Sequence, residues 1–103
     1  MPHRPVYYGE YLQLDKIINA QFPVSDEAGN QHAHDEMLFI VIHQAYELWF
    51  KQILFEVNSV LDIMNKPSLN DNSPELQLIV HRLQRVVTIL RVLVQQIDIL
   101  ETM

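Results

Sequence analysis

His34-Asp35-Glu36-Met37-Leu38-Phe39-Ile40-Val41-Ile42-His43-Gln44-Ala45-Tyr46-Glu47-Leu48-Trp49-Phe50 opens with acids and then runs almost wholly apolar. Asp35 and Glu36 stand where carboxylates favour the positive end of a helix dipole. The pattern continues at helical spacing to about Asn65 and stops at Lys66-Pro67. It predicts a long helix over 34–65, a rod of roughly 45 Å at 1.5 Å per residue. Its polar stripe of Gln44, Glu47, Lys51, Asn58, Asp62 and Asn65 is narrow, and Gln52, Glu56 and Ser59 widen it in the second half. A surface helix carries a wider wet face. The rod therefore reads as an interior helix, with His43 next to something other than solvent.

Downstream, 66–72 is a polar loop, and Ser73-Pro74-Glu75 is a strong helix start: a cap, a proline at the first helical position, then an acid. The helix it opens, 73–103, has two apolar rows. Val80, Leu83, Val87, Leu90, Val94 and Ile97 alternate spacings of three and four, a heptad seam suited to nearly parallel packing of long helices. Ile79, Val86, Leu93 and Leu100 form a second row beside it. Together they are wide enough for more than one neighbouring helix. Glu101-Thr102-Met103 brings no glycine cap and no proline stop, so the helix is expected to continue in a longer polypeptide.

Upstream, 1–6 holds two prolines and reads as an extended arm. Residues 7–21 read as one short helix with Tyr8, Tyr11, Leu12, Leu14 and Ile18 on a broad face, though Gly9 leaves its first turn uncertain. Residues 22–33, with Pro23, Ser25, Asp26, Gly29 and Asn30, read as a loop. The fold class is all-α: a short N-terminal helix, then a long antiparallel helical hairpin. The whole of 1–103 is one helical region, expected to pack into an oligomeric bundle.

Bulk properties narrow the function. The chain has 103 residues, 49% of them hydrophobic, with 2 glycines, no cysteine and a net charge of −6. The charge argues against nucleic acid, which needs a basic patch. Without cysteine there is no disulfide, thiolate metal site or cysteine nucleophile. No window reaches the ~18 apolar residues of a membrane span, and Met-Pro-His-Arg-Pro lacks a signal-peptide core. A soluble cytoplasmic protein is the expectation.

Five histidines raise the question of a metal. His32 and His34 are two apart in a loop, and His43 is nine beyond His34, which turns it to the opposite side of a helix. No HExxH or Glu-x-x-His occurs, and the spacings match no common ligand set. His43 has two readings. It is either a half-buried core histidine bonded to Glu47 or a backbone carbonyl, or one polar group in an aromatic cleft with Phe39, Tyr46, Phe50 and Leu54. A cleft of the second kind suits a flat apolar ligand. Tyr8 and Tyr11, at i and i+3, share a face, which packing alone explains. No serine stands at a useful spacing from a histidine for a nucleophilic triad, and no glycine-rich phosphate loop exists.

Tyr8-Gly9-Glu10-Tyr11-Leu12-Gln13-Leu14, Asn19-Ala20-Gln21, the run His34 to Lys51 quoted above, and Leu93-Val94-Gln95-Gln96-Ile97-Asp98-Ile99-Leu100-Glu101-Thr102-Met103 closely resemble the N-terminal part of tryptophan 2,3-dioxygenase. The resemblance covers nearly the whole chain from Tyr8 on. It implies an all-helical, homotetrameric haem enzyme that inserts O2 across the indole 2,3 double bond of L-tryptophan to give N-formylkynurenine. It implies that His43 is the distal histidine bonded to the indole N–H and that Phe39 packs near haem and substrate. Tyr8, Tyr11 and Leu12 would line the pocket of a neighbouring subunit.

Members of that family are more than twice this long. The arginine that grips the substrate carboxylate and the proximal histidine that ligates haem iron match nothing in this chain. The resemblance therefore implies a chain that is inactive alone and binds no haem alone, with L-tryptophan and O2 as substrates only of the complete enzyme. The alternative is a non-catalytic helical homologue that self-associates, as a dimer or tetramer, through its two-row seams.

Overall fold

The computed structural model describes residues 7–67 and 74–103. The arm over 1–6, most of the loop over 66–72 and the Ser73 cap lie outside the described residues. Among the described residues four α-helices follow in order: α1 (Tyr8–Tyr11), α2 (Leu14–Ile18), α3 (Glu36–Met64) and α4 (Pro74–Leu100), with a 3-10 turn at Val24–Asp26. No strand occurs among the described residues, so the chain is all-α. Its contacts divide it into two compact units, Met1–Val41 and Ile42–Met103.

In the first unit, 7–21 forms two short helices where one was expected. The break falls at Leu12-Gln13. Gln13 takes a left-handed conformation (φ 57°), which costs energy for a residue with a Cβ. Its side-chain amide donates to the Glu10 carbonyl at 2.9 Å, a local bond that competes with helix continuation. The loop over 22–33 is tied to the start of α3 by Glu36. Its carboxylate accepts the N–H of Ser25 at 2.8 Å and of Val24 at 3.0 Å. Glu36 is thus more than a charge at the helix dipole: it caps the 3-10 turn from twelve residues away.

The Ser25 side chain, the Ser25 N–H, the Val24 N–H and the nearby His32 hold the Glu36 carboxyl below its ordinary value of 4.5, outweighing the opposing effect of burial. A carboxylate whose folded pKa is depressed contributes stability that is present above its unfolded pKa and is lost as pH falls through the folded value. Acidification below pH 4.5, or Glu36→Ala at neutral pH, is expected to release the turn. Amide exchange should speed up at Val24 and Ser25 and stay unchanged in α3 beyond residue 42. Equal protection of both amides in Glu36→Ala would contradict this.

In the second unit the two long helices run antiparallel, and three ties give the direction. Tyr46 Oη donates to the Leu93 carbonyl at 2.7 Å, Arg85 Nη1 meets Glu56 Oε2 at 2.9 Å, and Lys66 Nζ meets Glu75 Oε2 at 3.2 Å. As the α3 number rises by ten, the α4 number falls by about ten. Val60, Ile63 and Ile79 form the core cluster near the connection, and Ile42, Val86, Ile89 and Leu93 are also buried.

The buried face of α4 is the second row plus Ile89. The heptad seam is left open: Val80, Leu83, Val87, Leu90, Val94 and Ile97 are 43–67% exposed. A single partner helix covers one stripe, and Ile89 lies on the side of the second row away from the seam, so the contact is centred off it. A second correction concerns Glu56. It belongs to the widened polar stripe by sequence, yet it is 2% exposed. It faces α4, where Arg85 satisfies it.

Candidate functional site

An open groove of about 650 Å³ runs along the second unit where α3 and α4 lie side by side. His43, Tyr46, Glu47 and Phe50 line it from α3. From α4 come Leu90, Leu93, Val94, Ile97 and Leu100. The aromatic wall follows from helical spacing: Tyr46 and Phe50, four apart, stack with centroids 6.0 Å apart and planes 26° from parallel. The Tyr46 hydroxyl, bonded to the Leu93 carbonyl, ties this wall to the aliphatic one.

Of the candidate residues, His43 stands on the groove and is exposed. Phe39 lies one turn earlier on α3 and is 49% exposed. Tyr8 and Tyr11, both on α1 in the first unit, are 75% and 71% exposed, and Leu12 is half-buried at the end of that helix. The groove is built from the second unit alone. Its α4 wall went unread in the sequence. The signal was present as residues of both apolar rows, but which α4 residues meet His43 depends on a register that periodicity does not give.

The chemistry of the lining is narrow. Seven of the nine side chains are apolar or aromatic. The polar members are His43, with one donor and one acceptor nitrogen when neutral, and Glu47. Such a wall fits a neutral planar ring bearing an N–H. It offers no cation to pair with the carboxylates of a haem. Among the described residues no cluster of three or more His, Cys, Asp or Glu is placed to bind a metal ion. No described helix is long and apolar enough to cross a membrane.

Comparison with known proteins agrees with the residues. The family model for tryptophan 2,3-dioxygenase matches residues 3–103. A tryptophan 2,3-dioxygenase of Bdellovibrio bacteriovorus is 50% identical over the whole chain, which covers 28% of that protein. One from Alteromonas mediterranea is 52% identical over 99 residues, 26% of its length. The Mus musculus enzyme is 54% identical over 96 residues, 23% of its length. The chain thus spans about a quarter of the length of these relatives, and it belongs to the tryptophan 2,3-dioxygenase family.

Proposed function

We propose that this chain supplies the N-terminal, indole-facing part of a haem-dependent tryptophan 2,3-dioxygenase and is inactive without the remainder. The observation that supports this reading is His43 on a groove whose lining, Glu47 apart, is otherwise apolar or aromatic. A neutral imidazole there accepts the indole N–H, and the apolar walls pack against the ring. Phe39 extends the aromatic face by one turn, and Tyr8, Tyr11 and Leu12 close the pocket of a neighbouring copy in a homo-oligomer. Haem, held by the rest of such an enzyme, supplies the oxygen chemistry. The cytoplasm is the proposed location.

The test is reconstitution of the chain in trans with the remaining three quarters of a relative, plus haem. Tryptophan oxidation should appear only with both parts present. His43→Ala should lower kcat/KM for L-tryptophan by about 10- to 100-fold, the value of one substrate hydrogen bond. It should change turnover of 1-methyl-tryptophan, which has no indole N–H, by less than about threefold. Equal losses for both substrates would remove the assigned role of His43.

The open seam of α4 favours a second reading, a non-catalytic chain that self-associates. Haem titration separates the two: a stoichiometric Soret complex that forms only with the remainder present supports the enzyme, and none under any condition supports the homologue.

A further inference from the structure

The apolar contact between α3 and α4 does little to choose its own register. Ile79, Val86, Leu93 and Leu100 recur every seven residues. A slip of one heptad therefore lays this row onto itself. In the slip that brings Val92 to the place of Arg85, Ile89 alone among the buried residues of α4 is exchanged for a polar one, Gln96. The connection permits the slip: nine residues, 65–73, separate the helices, and extended they reach ~30 Å, whereas one heptad is only ~10 Å of helix.

The other ties discriminate weakly. Tyr46 bonds a backbone carbonyl, and every register offers one. Lys66 and Glu75 are 54% and 38% exposed, a pair of the kind that contributes little.

Glu56 is different. Its side chain is 3% exposed, and it accepts from Arg85 Nη1 at 2.9 Å and Gln52 Nε2 at 2.9 Å. Slipped by seven in that direction, it would face Val92 instead of Arg85, and a buried carboxylate that loses its cation is strongly disfavoured.

We propose that Glu56 and Arg85 are positioning residues whose pairing selects the register of α3 against α4, and with it the residues that wall the His43 groove. In the slip that brings Val92 opposite Glu56, Ile97 and Leu100 would move ~10 Å from His43 towards Phe50 and beyond. The proposal deepens the reading of that groove, but its readout is register, which responds whether or not the groove takes an indole.

The chain has no cysteine, so an introduced pair reports position unambiguously. In the full 103-residue chain, Val60→Cys with Ile79→Cys reads the observed register, and Val60→Cys with Val86→Cys reads the slipped one. With Glu56 and Arg85 present, only the 60–79 disulfide should close within a chain. With Glu56→Leu and Arg85→Leu together, helicity by circular dichroism should persist, and the intrachain 60–86 disulfide should rise at least tenfold. Glu56→Gln, which keeps an acceptor for Arg85, should restore most of the preference for 60–79. Exclusive 60–79 closure in the double leucine variant would overturn the proposal. So would loss of its helicity, which would make the pair a requirement for folding and not a selector of register.

Discussion

Replacing Val80, Leu83 and Val87 together by glutamate is expected to leave α4 helical and to abolish self-association of the isolated chain. The three lie on consecutive turns of the open seam, 48%, 43% and 47% exposed, and none lines the His43 groove. Beside them on the same seam Leu90 and Val94 are 45% and 67% exposed, and on α3 Leu54 and Phe55 are 60% and 69% exposed. A small chain in water rarely leaves this much apolar surface wet, so the unsubstituted chain is expected to associate at micromolar concentrations. Burying a Val or Leu side chain fully contributes ~1.5–3 kcal/mol. Half-exposed residues gain about half of that, and in a symmetric contact each counts twice. Three carboxylates in that contact would weaken association by at least ~10³-fold. Sedimentation equilibrium of both forms checks this. An unsubstituted chain that stays monomeric at 100-fold above a micromolar concentration would show that the seam needs no cover.

The seam also shows how far the sequence carries the fold. Spacing alone gave both long helices, the hairpin and two apolar rows, because periodicity records which residues avoid water. It did not record which row meets α3 and which stays open, since both are equally apolar. Glu56 illustrates the same limit for a polar residue. By spacing it extends a wet stripe, yet its position is dry because Arg85, 29 residues away, reaches it. Gln13 marks a limit of a different kind: a left-handed turn held by its own amide leaves no mark in the apolar pattern. At the site, the aromatic side around His43 was legible because it lies within one helix. The aliphatic side was not, because it depends on the pairing of two.

Ile63→Ala should cost about 2–4 kcal/mol and lower the melting temperature by ~8–32 °C, given roughly 4–8 °C per kcal/mol in a domain of this size. Ile63 is 6% exposed and belongs to the cluster with Val60 and Ile79 at the end of α3. Beyond it Lys66 Nζ meets Glu75 Oε2 at 3.2 Å, a partly exposed pair that contributes little. Truncation there removes the transfer energy of the lost methylenes and leaves a void that neighbours fill only in part. A chain this short has a total margin of ~5–15 kcal/mol, so the loss is a large fraction of it. Val94→Ala removes apolar atoms too, but Val94 is 67% exposed, and the expected change is within ~0.5 kcal/mol. The comparison belongs in the background of the three seam glutamates, where Val94 is not covered by a second copy. Thermal unfolding followed at 222 nm gives both values. Equal shifts for the two alanines would mean that the α3–α4 contact does not carry the stability of this unit, and that the burial of Ile63 counts for no more than the open seam.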